Sequence, residues 1–208
     1  MKKNTRGYSI YVAKKTCDLA KLLGAKSVVI HPGSNSNKLK GSILMRDALG
    51  KLLYYYKKHD IDLLLENMSG QRNSLFYTIK DMISYSKQFP GLKFCFDTAH
   101  AFIGGMKIAD SEMLYQSLKP IINRIGCLHF NDAATSCNSG NDKHESILGK
   151  GYVGINFFRS MINDERFKNI PKITECKNEP HSYLKNLKIL ASNSKITRKG
   201  FNQLQIPA

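Results

Sequence analysis

The run at residues 92–101, L-K-F-C-F-D-T-A-H-A, constrains the fold of this chain more than any other stretch. A short apolar, β-rich segment (Phe94, Cys95, Phe96) ends in a carboxylate, Asp97, and three residues later comes a histidine, His100. Buried parallel strands read as short apolar runs rather than alternations, so the segment suits a strand flanked by helices. Asp97 then stands at the C-terminal end of that strand, where barrels and open α/β folds carry their active sites. Other segments repeat the plan. S-V-V-I-H-P-G (27–33) delivers His31, D-L-L-L-E-N-M-S-G (62–70) delivers Glu66, G-C-L-H-F-N-D (126–132) presents His129, and I-P-K-I-T-E (170–175) ends in Glu175.

Helical spacing fills the gaps between these strands. Ile10, Ala13, Cys17, Ala20 and Leu23 share one face of a helix over 9–23, with Gly24 as its stop. Ser42 is placed to cap a second helix through about His59, and Ser74 a third running to Phe89, before the Pro90-Gly91 turn. A helix over 111–124 contains Pro120 as a break or kink. Residues 133–143 form a polar loop, 156–169 a further helix, and 182–190 a last one. Strands alternating with helices imply a parallel sheet with right-handed crossovers. The repeat length points to a TIM-type (β/α) barrel, but a closed barrel has eight units and about five are legible here. One domain is expected over 1–191, with a basic, disordered tail over 192–208.

The chemistry lies in what these strands carry. Of six histidines, His31, His100, His129 and His144 fall at strand ends or in the loops after them, beside Glu66, Asp97, Asp142 and Glu175. Any one of them alone reads as a cap or a satisfied polar residue. Together they exceed the three or four protein ligands of a single zinc and suit a multinuclear centre with a bridging carboxylate. Imidazole and carboxylate without thiolate suits Zn or Mn at an open position. His59 and His181 lack such placement and read as surface residues. Gly149-Lys-Gly lacks the remaining spacing of a phosphate loop and reads as a turn needing positive φ.

Composition narrows the partner. Thirty-two Lys and Arg against sixteen Asp and Glu leave +16 and a pI near 9.7, which favours a polyanion such as nucleic acid over a neutral small molecule. A lysine-rich bias without a partner is the plainer alternative. Five cysteines (Cys17, Cys95, Cys127, Cys137, Cys176) have no C-x-x-C spacing, which argues against a disulfide framework and for a reducing compartment. No stretch reaches the ~18 apolar residues of a membrane span, and no signal-type apolar segment follows the basic start. A soluble intracellular protein is expected, with a nucleus or organelle open to a eukaryotic version.

The motifs H-P-G at His31, E-N-x-x-G-Q at 66–71, D-T-x-H-A at 97–101, L-H-F-N-D at 128–132 and D-x-H at 142–144 continue with the glycine turn at 149–154, N-D-E-R-F, and I-P-x-I-x-E ending in Glu175. In this order they resemble the endonuclease IV family of apurinic/apyrimidinic (AP) endonucleases, over about residues 9 to 190. The resemblance implies a βα barrel with up to three zinc ions, Mn2+ being an alternative. It implies Glu66 as the carboxylate bridging the first two ions, His31 on the first, and Asp97, His129 and Glu175 on the second. His100, Asp142 and His144 would hold the third. Glu66 and Glu175 would be the catalytic carboxylates, Gln71 and Lys143 DNA-contacting residues, and Asn67, Asn131 and Asp132 the residues that orient ligands. The activity implied is hydrolysis of the phosphodiester 5′ to an abasic site in double-stranded DNA, in base-excision repair.

Three departures from the family pattern stand out. The family begins with about three further βα units, which add another histidine to the first zinc, so two well-held metal sites are expected here. The loop before Asp142 is N-S-G-N with no arginine, and Lys150 stands where the family has an acid. Three outcomes are compatible with this: a truncated product without activity, a chain completed by a separate N-terminal chain, or a shortened monomeric enzyme. Two rival readings remain open. A single-metal sugar isomerase or epimerase of the same barrel needs only Glu66, Asp97, His129 and Glu175, leaving His31, His100, Asp142 and His144 without purpose. A non-catalytic DNA-binding remnant is the other.

Overall fold

Successive side chains of a strand point to opposite faces of its sheet, and here the two faces carry different residue types. The computed structural model describes residues 5–176 and 180–194. Strands β1 (Ser27–Ile30), β2 (Asp62–Glu66), β3 (Lys93–Asp97), β4 (Ile125–His129) and β7 (Lys172–Ile173) form one parallel sheet in the order β1-β2-β3-β4-β7. β5 (Asp132–Ala133) and β6 (His144–Glu145) pair antiparallel outside it. The sheet curls into a half-barrel. Leu63, Leu65, Phe94, Phe96 and Leu128 lie in the large core shared with the helices. Val29, Leu64, Cys95 and Cys127 form a separate small cluster on the other, concave face. Two residues further along each of these strands, on the same face, come His31, Glu66, Asp97 and His129. The partial TIM-type barrel expected from the strand–helix alternation is what the structure shows.

The helices are α1 (Thr5–Leu22), α2 (Lys38–Lys58), α3 (Ile79–Gln88), α4 (Thr98–Ile103), α5 (Ser111–Leu118), α6 (Ile155–Ile162) and α7 (His181–Asn193). Met45, Leu49, Leu52 and Tyr56 recur at helical spacing and bury one stripe of α2. The Tyr56 hydroxyl donates to the Ala13 carbonyl at 2.7 Å, clamping α1 against α2. Phe94 and Phe96, at most 1% exposed, anchor β3 to the helical layer; burying each such ring contributes roughly 2–3 kcal/mol.

Several boundaries differ from those expected. α2 starts at Lys38, capped by Asn37, whose side chain accepts from the Lys40 N–H; Ser42 lies inside the helix with its Oγ 3.3 Å from the Tyr85 hydroxyl. α3 is capped by Thr78, not Ser74. The Thr78 hydroxyl accepts from the Asp81 N–H and the Asp81 carboxylate accepts from the Thr78 N–H. This capping box outcompetes Ser74, which is buried upstream in a bridge to Ser34. Pro120 divides the segment at 111–124 into α5 and a 3-10 turn, Lys119–Arg124. The helix expected over 156–169 stops at Ile162 and is followed by a 3-10 turn at Glu165–Phe167. Leu23, expected on the buried face of α1, is 75% exposed, because the chain leaves the helix at Leu22 and reverses at Gly24 (φ +71°). α7 continues through Asn193, into the segment expected as tail, and residues 195–208 lie outside the described residues. No helix among the described residues is long and apolar enough to cross a membrane.

Candidate metal centre

Each strand delivers its polar residue one step past the apolar layer, and short-range chemistry then aims it. Asp97 ends β3 and is the N-cap of α4, its Oδ1 accepting from the His100 N–H at 2.7 Å. The cap starts a helix within the D-T-A-H motif and turns His100 back over the strand end. The His100 Nδ1–H donates to the Asn67 carbonyl at 2.9 Å, leaving Nε2 toward Asp142 Oδ2 at 3.4 Å. Asn67 also ties β2 to β3: its Oδ1 accepts from the Asp97 N–H at 2.8 Å and its Nδ2 donates to the Asp97 carbonyl at 3.1 Å.

Asn131 performs the same function across the next gap. Its Nδ2 donates to Asp97 Oδ2 at 2.6 Å and to Glu175 Oε2 at 2.9 Å, while its Oδ1 accepts from the Glu175 N–H at 2.9 Å. These bonds hold Glu175 at the cluster although β7 is only two residues long. Thr98, which the sequence reading passed over, donates from Oγ1 to the Asn131 carbonyl at 2.6 Å and accepts from the Asn131 N–H at 3.0 Å. Its signal was its place directly after a strand-end carboxylate at a helix start. Asn67 is thus hydrogen-bonded to the Asp97 backbone, and Asn131 to Asp97 and Glu175.

Asp132 differs from expectation. It is fully buried, and its carboxylate accepts from the backbone N–H groups of Ala133, Gly149, Gly151, Val153 and Gly154 at 2.8–3.4 Å. It organises the glycine turn instead of touching a ligand-type side chain. The glycines follow from this: Gly149 and Gly154 have φ of +85° and +81°, and a Cβ on Gly151 would meet Asp132 Oδ1 at 2.5 Å and crowd the Ala133 carbonyl. The positive-φ reading of Gly149 holds. Gln71 and Lys143 are both exposed, outside the cluster.

All eight ligand-type residues converge. Glu66 is central: His129 Nδ1 lies 3.1 Å and His100 Nδ1 3.3 Å from its Oε1, and His31 Nε2 lies 3.2 Å from its Oε2. His129 Nδ1 is also 3.2 Å from Glu175 Oε2. His144 Nε2 is 3.5 Å from Asp142 Oδ1, and its ring stands 5.0 Å from that of His100. Within these eight residues, three groupings have ligand atoms within 4.8 Å of one another: His31–Glu66–His100, Asp97–His100–His144, and Glu66–Asp97–His129–Glu175. The last is the quartet expected for the second ion. His100 belongs to both other groupings, joining the first two ion positions of the resemblance to the third.

The electrostatics show how tightly these charges are packed. Burial opposes ionisation of Glu66, but hydrogen bonds from His100, His129 and His31 outweigh it and hold the carboxyl far below its usual range. Burial likewise opposes charge on His100, yet the Asp97 charge and bonds to Asp142 and Glu66 push it up to about 11. His129 is raised to about 10, burial being outweighed by Glu175 and Glu66. Burial pushes Asp97 up. Asp142 is lowered by its bond to His100, and Glu175 by its bond to His129.

The donor set fits divalent metal. No Lys or Arg takes part in these pairings, and His144 Nε2 is a buried nitrogen with no hydrogen-bond partner. A buried nitrogen that faces a carboxylate at 3.5 Å without a hydrogen bond is under-satisfied, which a cation beside Asp142 would relieve. His31 and Glu175, 57% and 50% exposed at the side chain, mark the open rim; the other ligands lie deeper.

The chain is 32% identical over 170 residues to the "Endonuclease 4 homolog" of Dictyostelium discoideum, covering 77% of this chain and 31% of that protein. It is 31% identical over 181 residues to "Probable endonuclease 4" of Geobacter sulfurreducens, covering 82% of this chain and 61% of that one. The chain therefore spans about three fifths or less of the length of these curated relatives. The crystal structure of endonuclease IV from Thermus thermophilus superposes with a TM-score of 0.80 at 24% identity, covering 93% of this chain and 70% of that one, which supports the fold. Residues 1–199 match the family model described as a xylose isomerase-like TIM barrel, and the chain belongs to that family.

Proposed function

We propose that this chain carries the metal-binding face of a zinc-dependent AP endonuclease that hydrolyses the phosphodiester 5′ to an abasic site. The observation that carries the proposal is the convergence of His31, His100, Asp142 and His144 on the Glu66–Asp97–His129–Glu175 quartet. A single ion has no use for the additional four, and phosphoryl transfer by several ions does. When bound, such ions supply a hydroxide near neutral pH and neutralise charge on the phosphoryl oxygens. Glu66 lies between groupings and is the carboxylate suited to be shared. Glu175, at the rim and fixed by Asn131, would be the acceptor for the proton of an incoming water. Asn67 and Asn131 keep Asp97 and Glu175 in place as charge changes. The +16 net charge supplies phosphate affinity, and Gln71 and Lys143 are exposed where DNA could reach them.

A sugar isomerase or epimerase remains the second reading, because the quartet alone suits one divalent ion. A single experiment separates them: nicking of a duplex carrying one abasic site by this chain, with Glu66→Ala as control. Chelator-sensitive incision lost in the control supports the nuclease. Absence of incision by folded protein overturns it for this chain acting alone. Conversion of a ketose or aldose would establish the isomerase instead, and chelator-insensitive binding of abasic DNA without cleavage would mark a binding remnant.

A further inference from the structure

One layer below the centre, the concave face carries groups that this function does not use. Cys95 on β3 and Cys127 on β4 are register partners on neighbouring parallel strands. They are 0% and 4% exposed, neither is in a disulfide, and Leu64 and Val29 enclose them. Their sulfur atoms and a ring nitrogen of His129 all lie within 4.8 Å of one another. The other residues of this cluster are aliphatic, so the two thiols are its only soft donors.

We propose that Cys95, Cys127 and His129 form a binding site for a soft divalent cation, of the chemistry of Cd2+ or thiolate-bound Zn2+, directly beneath the carboxylate–imidazole centre. Thiolate donors select soft cations, whereas the carboxylate set above takes harder ones. Zn–S near 2.3 Å in a tetrahedral site implies a sulfur–sulfur separation of about 3.8 Å. Donor atoms within 4.8 Å therefore close around an ion with side-chain shifts of at most about 1 Å. Three protein donors leave a fourth position open. The binding step balances as one cation entering, the protons of both thiols and any on the His129 imidazole leaving, and two metal–sulfur bonds and one metal–nitrogen bond forming with no change of oxidation state. Because His129 also belongs to the upper quartet, an ion held below competes for it, and a soft cation weakens loading above. The site stands whether or not the chain cleaves DNA.

Cadmium titration of the full chain tests this, read by the ultraviolet thiolate-to-cadmium charge-transfer band. One equivalent is expected to produce the band. Cys127→Ala and Cys95→Ala should each abolish it, while Cys137→Ser and Cys176→Ser leave it unchanged. A band that survives both alanine variants, or no band in the wild-type chain, overturns the proposal. Should an alanine variant fail to fold by circular dichroism, the cadmium-113 resonance of the wild-type chain decides. A shift in the thiolate-ligated range supports the site, and one confined to the nitrogen–oxygen range refutes it.

Discussion

Single residues in this molecule act through the charges packed beside them. His100 and His129 are held up to about 11 and about 10 when no ion is bound, above the ordinary 6.5. Groups raised in the folded state stabilise it fully below their unfolded pKa and lose that contribution as pH rises through the folded value. The metal-free chain is thus expected to lose stability between about pH 6.5 and pH 11, seen as a falling urea midpoint. Coordination needs unprotonated imidazole, so metal loading shows the opposite sign: affinity falls as pH falls, and zinc binding at pH 7 releases protons measurable by calorimetry in two buffers. Asp132 gives a prediction of another kind. Its carboxylate accepts five backbone N–H groups, and an amide there turns an NH2 toward some of them. Asp132→Asn should cost about 2 kcal/mol, which for a chain of this size is a fall in Tm of about 4–8 °C.

At the scale of elements, local capping sets where helices begin and so where site loops end. Ser74 and Thr78 both offer a hydroxyl ahead of an apolar run, and only Thr78 has an acidic residue three positions on to complete the box. Thr78→Ala is expected to lower stability by about 1 kcal/mol, read from the urea midpoint, with the ligand cluster left in place. Asp97 combines both levels: it ends β3, caps α4 and stands among the ligands. That the D-T-A-H stretch starts a helix was readable from an N-cap residue type followed by a short helical run, yet the strand signal before it concealed the change. The β5–β6 pair was not legible, because two-residue strands within a polar loop leave no periodicity.

For the whole molecule, the charge excess governs encounter with a polyanion. If duplex DNA carrying an abasic site is the partner, binding should weaken about 10³-fold or more between 50 and 200 mM salt, with a linear plot of log affinity against log salt. A near-flat plot would separate the +16 charge from DNA recognition. The curled sheet explains why ligand-type residues from 31 to 175 meet in one cluster: parallel strands in register present their C-terminal ends together.

The strand–helix alternation, the parallel sheet and the eight converging ligand-type residues were all legible in the sequence. Each of these is written in local periodicity or in a residue type at a strand end or in the loop after it. Tertiary structure decided which of them lie close enough to form a grouping, since His100 joins two groupings only through the α4 turn. It decided that Asp132 serves a loop seventeen or more residues away, and that Cys95 and Cys127 meet beneath His129. These depend on register between strands and on hydrogen bonds across the sheet, distances that no spacing along the chain encodes.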